Sequence, residues 1–254
     1  MLPRPAVPRN GLLAALSAAD LNRLAPRLDR VALEYGEVLQ EANRPARFAF
    51  FPEQGAASLL SSTRDALPVE VALVGRSGMV GIPFLLGSTN SPFRTAVQIP
   101  GEALRIGADD LRRAFSHSSA LQRVVLFYVH ALLVQTSQLV LCNARHPIEK
   151  RVARWLLLAH DCQDSDEVPV THDAMSRSLA VRRASVTEAL TRLQDAAVVR
   201  TARGCLTISD RHRLEQMACG CYGVIKYEHD GIASLGSRGG PSEGVSSRSE
   251  VDSG

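Results

Sequence analysis

The spacing of apolar positions changes period several times along the chain, and each change predicts an element. After a loose lead-in over residues 1–10, Gly11 to Leu28 reads as one or two short helices, with Ser17-Ala-Ala-Asp20 resembling a capping box. From Val31 the pattern becomes short and β-prone: Val31–Tyr35, Val38–Gln40, Arg47–Phe51, Ala57–Leu60, Val69–Val74 and Thr95–Ile99. Asn43-Arg-Pro45 and Gly36, Gly55, Gly75, Gly78, Gly81 and Gly87 separate these runs, and Pro100-Gly101 follows them. Short strands between glycine turns predict a β-sandwich or barrel-like roll, closed by a short helix over 108–115. Ser116 to Asn143 then follows a long helical period. Leu121, Val125, Tyr128, Leu132 and Leu139 recur at threes, fours and sevens, and further apolar positions broaden that face. The apolar surface is too wide for one small domain to cover, which predicts a dimer seam; packing within one monomer is the alternative.

His146 to His160 is another helix, with Pro147 well placed in its first turn, and Asp161 to Glu167 is an acidic loop. Thr171 to Leu193 follows, THDAMSRSLAVRRASVTEALTRL. Met175 and Leu179 share one face of a first short helix, and Thr171 is placed to cap it. Val186, Ala189, Leu190 and Leu193 share one face of a second. Small Ser176 allows the helices to cross closely, and Ala180 and Val181 fall at the turn. The opposite face of the second helix carries Arg183, Ala184, Thr187, Glu188 and Thr191. Arg pairs bidentately with guanine and a carboxylate accepts from cytosine, so this face suits base readout. Arg177, Arg182, Ser185 and Arg192 lie where phosphates pass. Two β-prone runs, Val198–Thr201 and Cys205–Ile208, flank Ala202-Arg203-Gly204 and predict a wing. An ordinary helical hairpin with a solvated charged face is the competing reading. Leu214 to Cys221 predicts a short helix, and 231–254 is so poor in apolar residues that no fixed structure is expected there.

Charge sharpens this picture. From Arg177 to Arg213 there are eight arginines against Glu188, Asp195 and Asp210, a net +5 that exceeds the +3 of the whole chain. A local positive excess beside a helix-turn-helix is the electrostatic footprint of a DNA binder. Lys150 and Lys226 are the only lysines; codon composition explains most of that bias. The 254 residues, 45% apolar and 22% charged, fit one large or two moderate globular domains. Val124 to Cys142 approaches membrane length, but His130, Gln135, Thr136, Ser137 and Gln138 interrupt it, so a buried helix and no membrane partner are expected. No secretory signal is visible, and five cysteines, an odd number, fit a reducing cytoplasm. Cys219-Gly-Cys221 has Cys205 and His212 near it in sequence, yet a lone C-x-C lacks the spacing of a closed zinc site, so no metal is expected. No phosphate-binding loop, G-x-S-x-G or nucleophile–base pair occurs, so the chain is not expected to be an enzyme.

The order roll, long helix, winged helix-turn-helix resembles the Crp–Fnr family of bacterial transcription regulators over about residues 11–221. The resemblance rests on Arg47–Gly55 as a strand and glycine turn of the roll, on Gly78-Met-Val-Gly81 with Arg94-Thr95-Ala96 as the phosphate-binding cassette, on Arg151–Leu158 as the first helix of the DNA domain, and on Thr171–Leu193. It implies an α+β fold: a jelly-roll-like sensor related to cyclic-nucleotide-binding domains over 11–116, a dimerisation helix over 117–144, a Crp-type winged helix-turn-helix over 145–213, and a short helix with a disordered tail over 214–254. It also implies a cytoplasmic homodimer acting on double-stranded promoter DNA, with RNA polymerase as a candidate partner. Arg177, Arg182, Arg183, Ser185, Thr187, Glu188, Arg192 and Arg203 are the expected DNA contacts, and Gly81, Ile82, Arg94 and Thr95 the candidate ligand site.

Four departures qualify the likeness. Ile82 follows Gly81 where nucleotide-responsive members have an acidic residue for the ribose hydroxyl, so cyclic AMP is not expected to be the switch. Pro83 to Phe93 is apolar, and it either fills the pocket or lines it for an apolar ligand; the alternative is a roll that senses nothing and only supports the dimer helix. No cysteine precedes Cys142, so the family's N-terminal iron–sulfur cluster is not expected. Ala180 stands where such turns often have glycine; a left-handed residue there costs roughly 1–2 kcal/mol. The resulting expectation is a sequence-specific regulator. Its rival is a ligand-binding or protein-interaction module whose winged helix does not bind DNA.

Overall fold

The computed structural model describes residues 8–88 and 90–235. Two short helices, α1 (Gly11–Ala14) and α2 (Ala18–Leu24), open the chain. Ser17 caps α2 by accepting from the Asp20 amide, as the capping box predicts. Strands β1 (Asp29–Leu33), β2 (Val38–Gln40), β3 (Phe48–Thr63) and β4 (Ala66–Val74) follow, then the short helix α3 (Ile82–Leu85) and β5 (Arg94–Gly107). All pairings are antiparallel, in the order β1-β5-β3-β4, with β2 also on β5.

The roll has fewer and longer strands than the apolar runs suggest. Phe48–Phe51 and Ala57–Leu60 belong to one strand of 16 residues, and Gly55 is a bulge inside it, not a turn between two. Its φ is +80°, and a Cβ there would lie 2.5 Å from the Ile99 carbonyl oxygen. Opposite it, a Cβ on Gly101 would lie 2.1 Å from the Gln54 oxygen. The two glycines let β3 and β5 cross closely and bend without breaking. Pro100-Gly101 is likewise inside β5.

The predicted short and long helices are α4 (Ala108–His117) and α5 (Ser119–Arg145), with the boundary two residues later than the pattern places it. Ser118 separates them because its side chain caps α5 on the Leu121 amide. Leu121, Val124, Val125 and Tyr128 of α5 are buried in one core with α1, α3 and residues of β3 and β5. The helix is long and apolar enough to cross a membrane; here that apolar face closes the roll. Leu126, Leu133 and Val140, seven apart, remain 55%, 64% and 65% exposed.

The second half comprises α6 (Ile148–His160), β6 (Glu167–Val168), α7 (His172–Ser178), α8 (Arg183–Asp195), β7 (Val199–Ala202), β8 (Cys205–Ile208), α9 (Arg211–Met217) and α10 (Cys221–Ser234). The wing has three strands, because β6 from the predicted acidic loop pairs with β8. Its core also takes in Ala56, Leu73 and Ile99 of the roll, so the two halves share apolar packing. At that junction Glu70 is buried; it accepts from Trp155 Nε1 at 3.0 Å and from Ser58 Oγ at 2.5 Å.

The C-terminal segment departs from expectation. Leu214 lies in α9, and a second helix, α10, carries the chain through Ser234, where composition predicts no fixed structure from 231 onward. Two contacts explain it: Ile232 is buried with the roll core, and His229 lies 3.2 Å from Gln135 on α5. Tertiary burial supplies what local composition does not. The remainder of the expected tail, 236–254, lies outside the described residues.

Candidate nucleic-acid interface

The recognition surface is assembled by α7 and α8. Thr171 caps α7 on the Ala174 amide, and Met175, Leu179, Val186, Ala189, Leu190 and Leu193 are all buried between the helices and α6. Ala180 adopts φ +51°, so the turn keeps the left-handed geometry usual for glycine and carries the strain of a Cβ there. Arg151 of α6 donates to the Leu179 carbonyl and ties the turn to the domain. Sequence reasoning assigns Arg151 only to a helix; its reach to a backbone carbonyl 28 residues away leaves no local signal.

The buried stripe leaves the opposite face of α8 outward. Arg182, Arg183, Ala184, Thr187, Glu188, Thr191 and Arg192 are exposed and Ser185 is half-buried. Arg182 and Arg183 open the helix, and no ion pair engages either among the described residues. Arg203 is exposed at the wing tip, beside Gly204 at φ +76°. Two of the expected phosphate contacts are differently placed. Arg177 pairs with Asp173 and reaches the Tyr35 hydroxyl of the roll at 3.4 Å. Arg192 pairs with Glu149 of α6. Both remain largely exposed beside these partners. Thr187 donates to the Arg183 carbonyl and meets His172 Nδ1 at 3.1 Å. Partial burial and the nearby Arg183 lower the pKa of His172, which favours a neutral ring beside the recognition helix.

The roll also borders a second candidate site, half-open to solvent. A cavity of about 490 Å³ lies between the roll and α5. Ile82, Pro83, Leu86 and Phe93 form one wall, and Tyr128, Val129, Leu132 and Leu133 of α5 form another. Thr95, Thr136, Gln40 and Ser91 are among its few polar groups. Gly81 sits at its edge with φ +106°, where a Cβ would meet Phe84 and Ala49. Ile82 and Thr95 enter the cavity, but Arg94 does not line it: on the alternate side of β5, it pairs with Glu41 at 3.5 Å. The four candidate ligand residues are therefore divided, and the cationic one is outside. The α5 wall is not legible in the sequence, because residues 128–136 read as a helical stretch with no sign of what it packs against.

Residues 150–217 match the Crp-like helix-turn-helix domain. No curated protein matches the chain in sequence. Among solved structures, FixK2 from Bradyrhizobium japonicum is similar at 14% identity and a TM-score of 0.64, covering 76% of this chain and 98% of that one. A CRP-family transcriptional regulator from Thermus thermophilus is similar at 21% identity and 0.62, covering 74% and 96%. The c-di-GMP-responsive global regulator CLP of Xanthomonas campestris is similar at 16% identity and 0.57, covering 76% and 100%. Residues 150–217 are thus a Crp-like helix-turn-helix domain, and over three quarters or more of its length the chain shares the fold of Crp/Fnr-family transcription regulators.

Proposed function

We propose that this chain acts in the cytoplasm as a homodimeric, sequence-specific promoter-binding regulator whose roll takes an apolar small molecule and not cyclic AMP. The observation that carries the DNA reading is the exposed N-terminal end of α8, where Arg182 and Arg183 have no acidic partner among the described residues. Arg183 reads a base edge, with Thr187 and Glu188 beside it, and Arg203 of the wing meets a phosphate. Leu126, Leu133 and Val140 support the dimer: three apolar side chains one heptad apart form a seam that a second α5 covers. The cavity supports the ligand class. A cyclic nucleotide needs partners for a phosphate and a ribose hydroxyl, while Ile82 offers no acceptor and Arg94 is engaged with Glu41. Leaving the hydroxyl unpaired costs roughly 1–3 kcal/mol.

Salt-dependent gel shifts on the promoter region of its own gene, with random DNA as competitor, test the DNA reading. Affinity should fall steeply with salt and exceed that for random DNA by about 10³-fold or more. Equal, weak binding to both DNAs would favour the rival interaction-module reading.

A further inference from the structure

Three cysteines and a histidine that lie apart in sequence converge at the junction between the long helix and the DNA-binding half. Cys142 and His146 are four residues apart, so the last turn of α5 and its C-terminal cap present them on one face. Cys219 and Cys221 arrive from the connection between α9 and α10. The three cysteines are buried in a small cluster separate from the apolar cores, and His146 is half-buried. Cys142 Sγ lies 3.5 Å from Cys219 Sγ, and Cys221 Sγ lies 3.7 Å from His146 Nδ1. All four donor atoms fall within 4.8 Å of one another.

Two of these separations match a bound tetrahedral ion, and the others, all within 4.8 Å, would close by up to about 1 Å around it. A tetrahedral zinc ion with Zn–S bonds of about 2.3 Å and a Zn–N bond of about 2.0–2.1 Å places its ligand atoms about 3.5–3.8 Å apart. A polynuclear iron–sulfur core would have to hold the thiolates farther apart than this. From this geometry we infer that Cys142, His146, Cys219 and Cys221 form a closed zinc site. The expectation of no metal rested on C-x-C lacking a partner motif nearby; the partner is C-x₃-H, and only the return of α10 along α5 brings the two together.

Charge compensation fits as well. Three thiolates and a neutral imidazole around a divalent cation carry a net −1. Arg154 of α6 is buried with its Nε unpartnered, and its charge acts on both Cys142 and Glu70. A buried guanidinium is the complement such a site needs. With four protein ligands no position remains open, so the ion is structural. Its place explains what it would hold together. His146 caps α5 and, with Pro147, leads into α6, while Cys221 begins the helix that returns to the roll. One ion then fastens α10 to the connection between the sensor helix and the DNA-binding half.

The test uses the full-length, untagged chain purified under reducing conditions. Elemental analysis should find about one zinc per chain. Demetallated protein titrated with cobalt(II) should develop the intense visible bands of a tetrahedral ion and thiolate-to-cobalt charge transfer. Cys219→Ser and Cys221→Ser should each bind zinc at least tenfold more weakly, whereas His146→Cys, which preserves four ligands, should retain it. The wild-type cobalt titration decides the question even if the serine variants fail to fold. A reduced chain without stoichiometric zinc and without a thiolate–cobalt band would overturn the inference. So would a Cys142–Cys219 disulfide recovered in place of metal, or zinc retained undiminished in both serine variants.

Discussion

In the roll, Arg94 pairs with Glu41 and turns away from the cavity that its neighbour Thr95 enters. On α8, Arg183 stands exposed, with a threonine and a glutamate on the same face and no ion-pair partner among the described residues. Both arginines match positions where the family resemblance expects a cation to meet a nucleic-acid or nucleotide anion. The difference lies in what surrounds them. The recognition helix keeps its charge in water, ready for a polyanion. The cassette keeps its glycine turn and strand, but its charge is neutralised outside and its walls are hydrocarbon. On the proposed reading, similar backbone is kept while one site retains its chemistry and the other changes it.

The largest effect should come from the proposed dimer seam on α5, which borders the cavity. Leu133→Glu places a charge on the exposed apolar stripe of α5; burying it without a partner costs roughly several kcal/mol, so the dimer should dissociate at micromolar concentration. Leu133 is the better probe than Leu132 because it is the more exposed of the two, although both line the cavity. Sedimentation of a folded variant at the wild-type mass would place the seam elsewhere. Next, Arg183→Ala should weaken specific binding by ~1–3 kcal/mol per half-site, while Arg203→Ala should weaken all sequences alike and reduce the salt slope by about one. Equal losses for Arg183→Ala on specific and random DNA would remove its role as a base reader.

The roll side of the contrast can be probed by calorimetry. Cyclic AMP should give no micromolar binding, whereas an apolar naphthalene dye should bind, and Val71→Phe, which projects a ring into the cavity, should weaken the dye about tenfold or more (about 1.4 kcal/mol). Micromolar binding of cyclic AMP that also tightened operator binding would erase the difference between the two arginines. A smaller effect is expected at the turn before α8. Ala180→Gly relieves a left-handed Cβ and should raise stability by about 1 kcal/mol in chemical denaturation, with DNA affinity unchanged. A loss of stability would mean that unfolded-chain entropy outweighs the relief.

The smallest effect concerns the junction between the halves. Burial pushes the Glu70 carboxyl above its ordinary value, against the opposing pull of Ser58 and Arg154. A group whose folded-state pKa is raised contributes stability that is fully present below the unfolded value and is lost as pH rises through the folded value. Glu70→Gln keeps the shape without the charge. Its melting temperature relative to wild type should therefore rise as pH increases from about 5 to 8. A difference constant across that range would show that Glu70 does not titrate there.

Much of this was legible in the chain itself. Thr171, Met175, Leu179, Val186 and Leu193 specify two helices and the face each buries, because cap and period are local properties. The wing, the long helix and the antiparallel roll follow from the same kind of signal. Where local signals misled, a distant partner was responsible. Gly55 reads as a turn until Gly101 is laid across it, and residues 231–234 read as disordered until Ile232 reaches the roll core. The cavity needed α5 to supply its second wall. The convergence of Cys142 and His146 with Cys219 and Cys221 was invisible for the same reason. Spacing along a helix or strand is set by one backbone, so sequence determines which side chains share a face; which faces then meet depends on the path of the whole chain, and only the folded structure decides it.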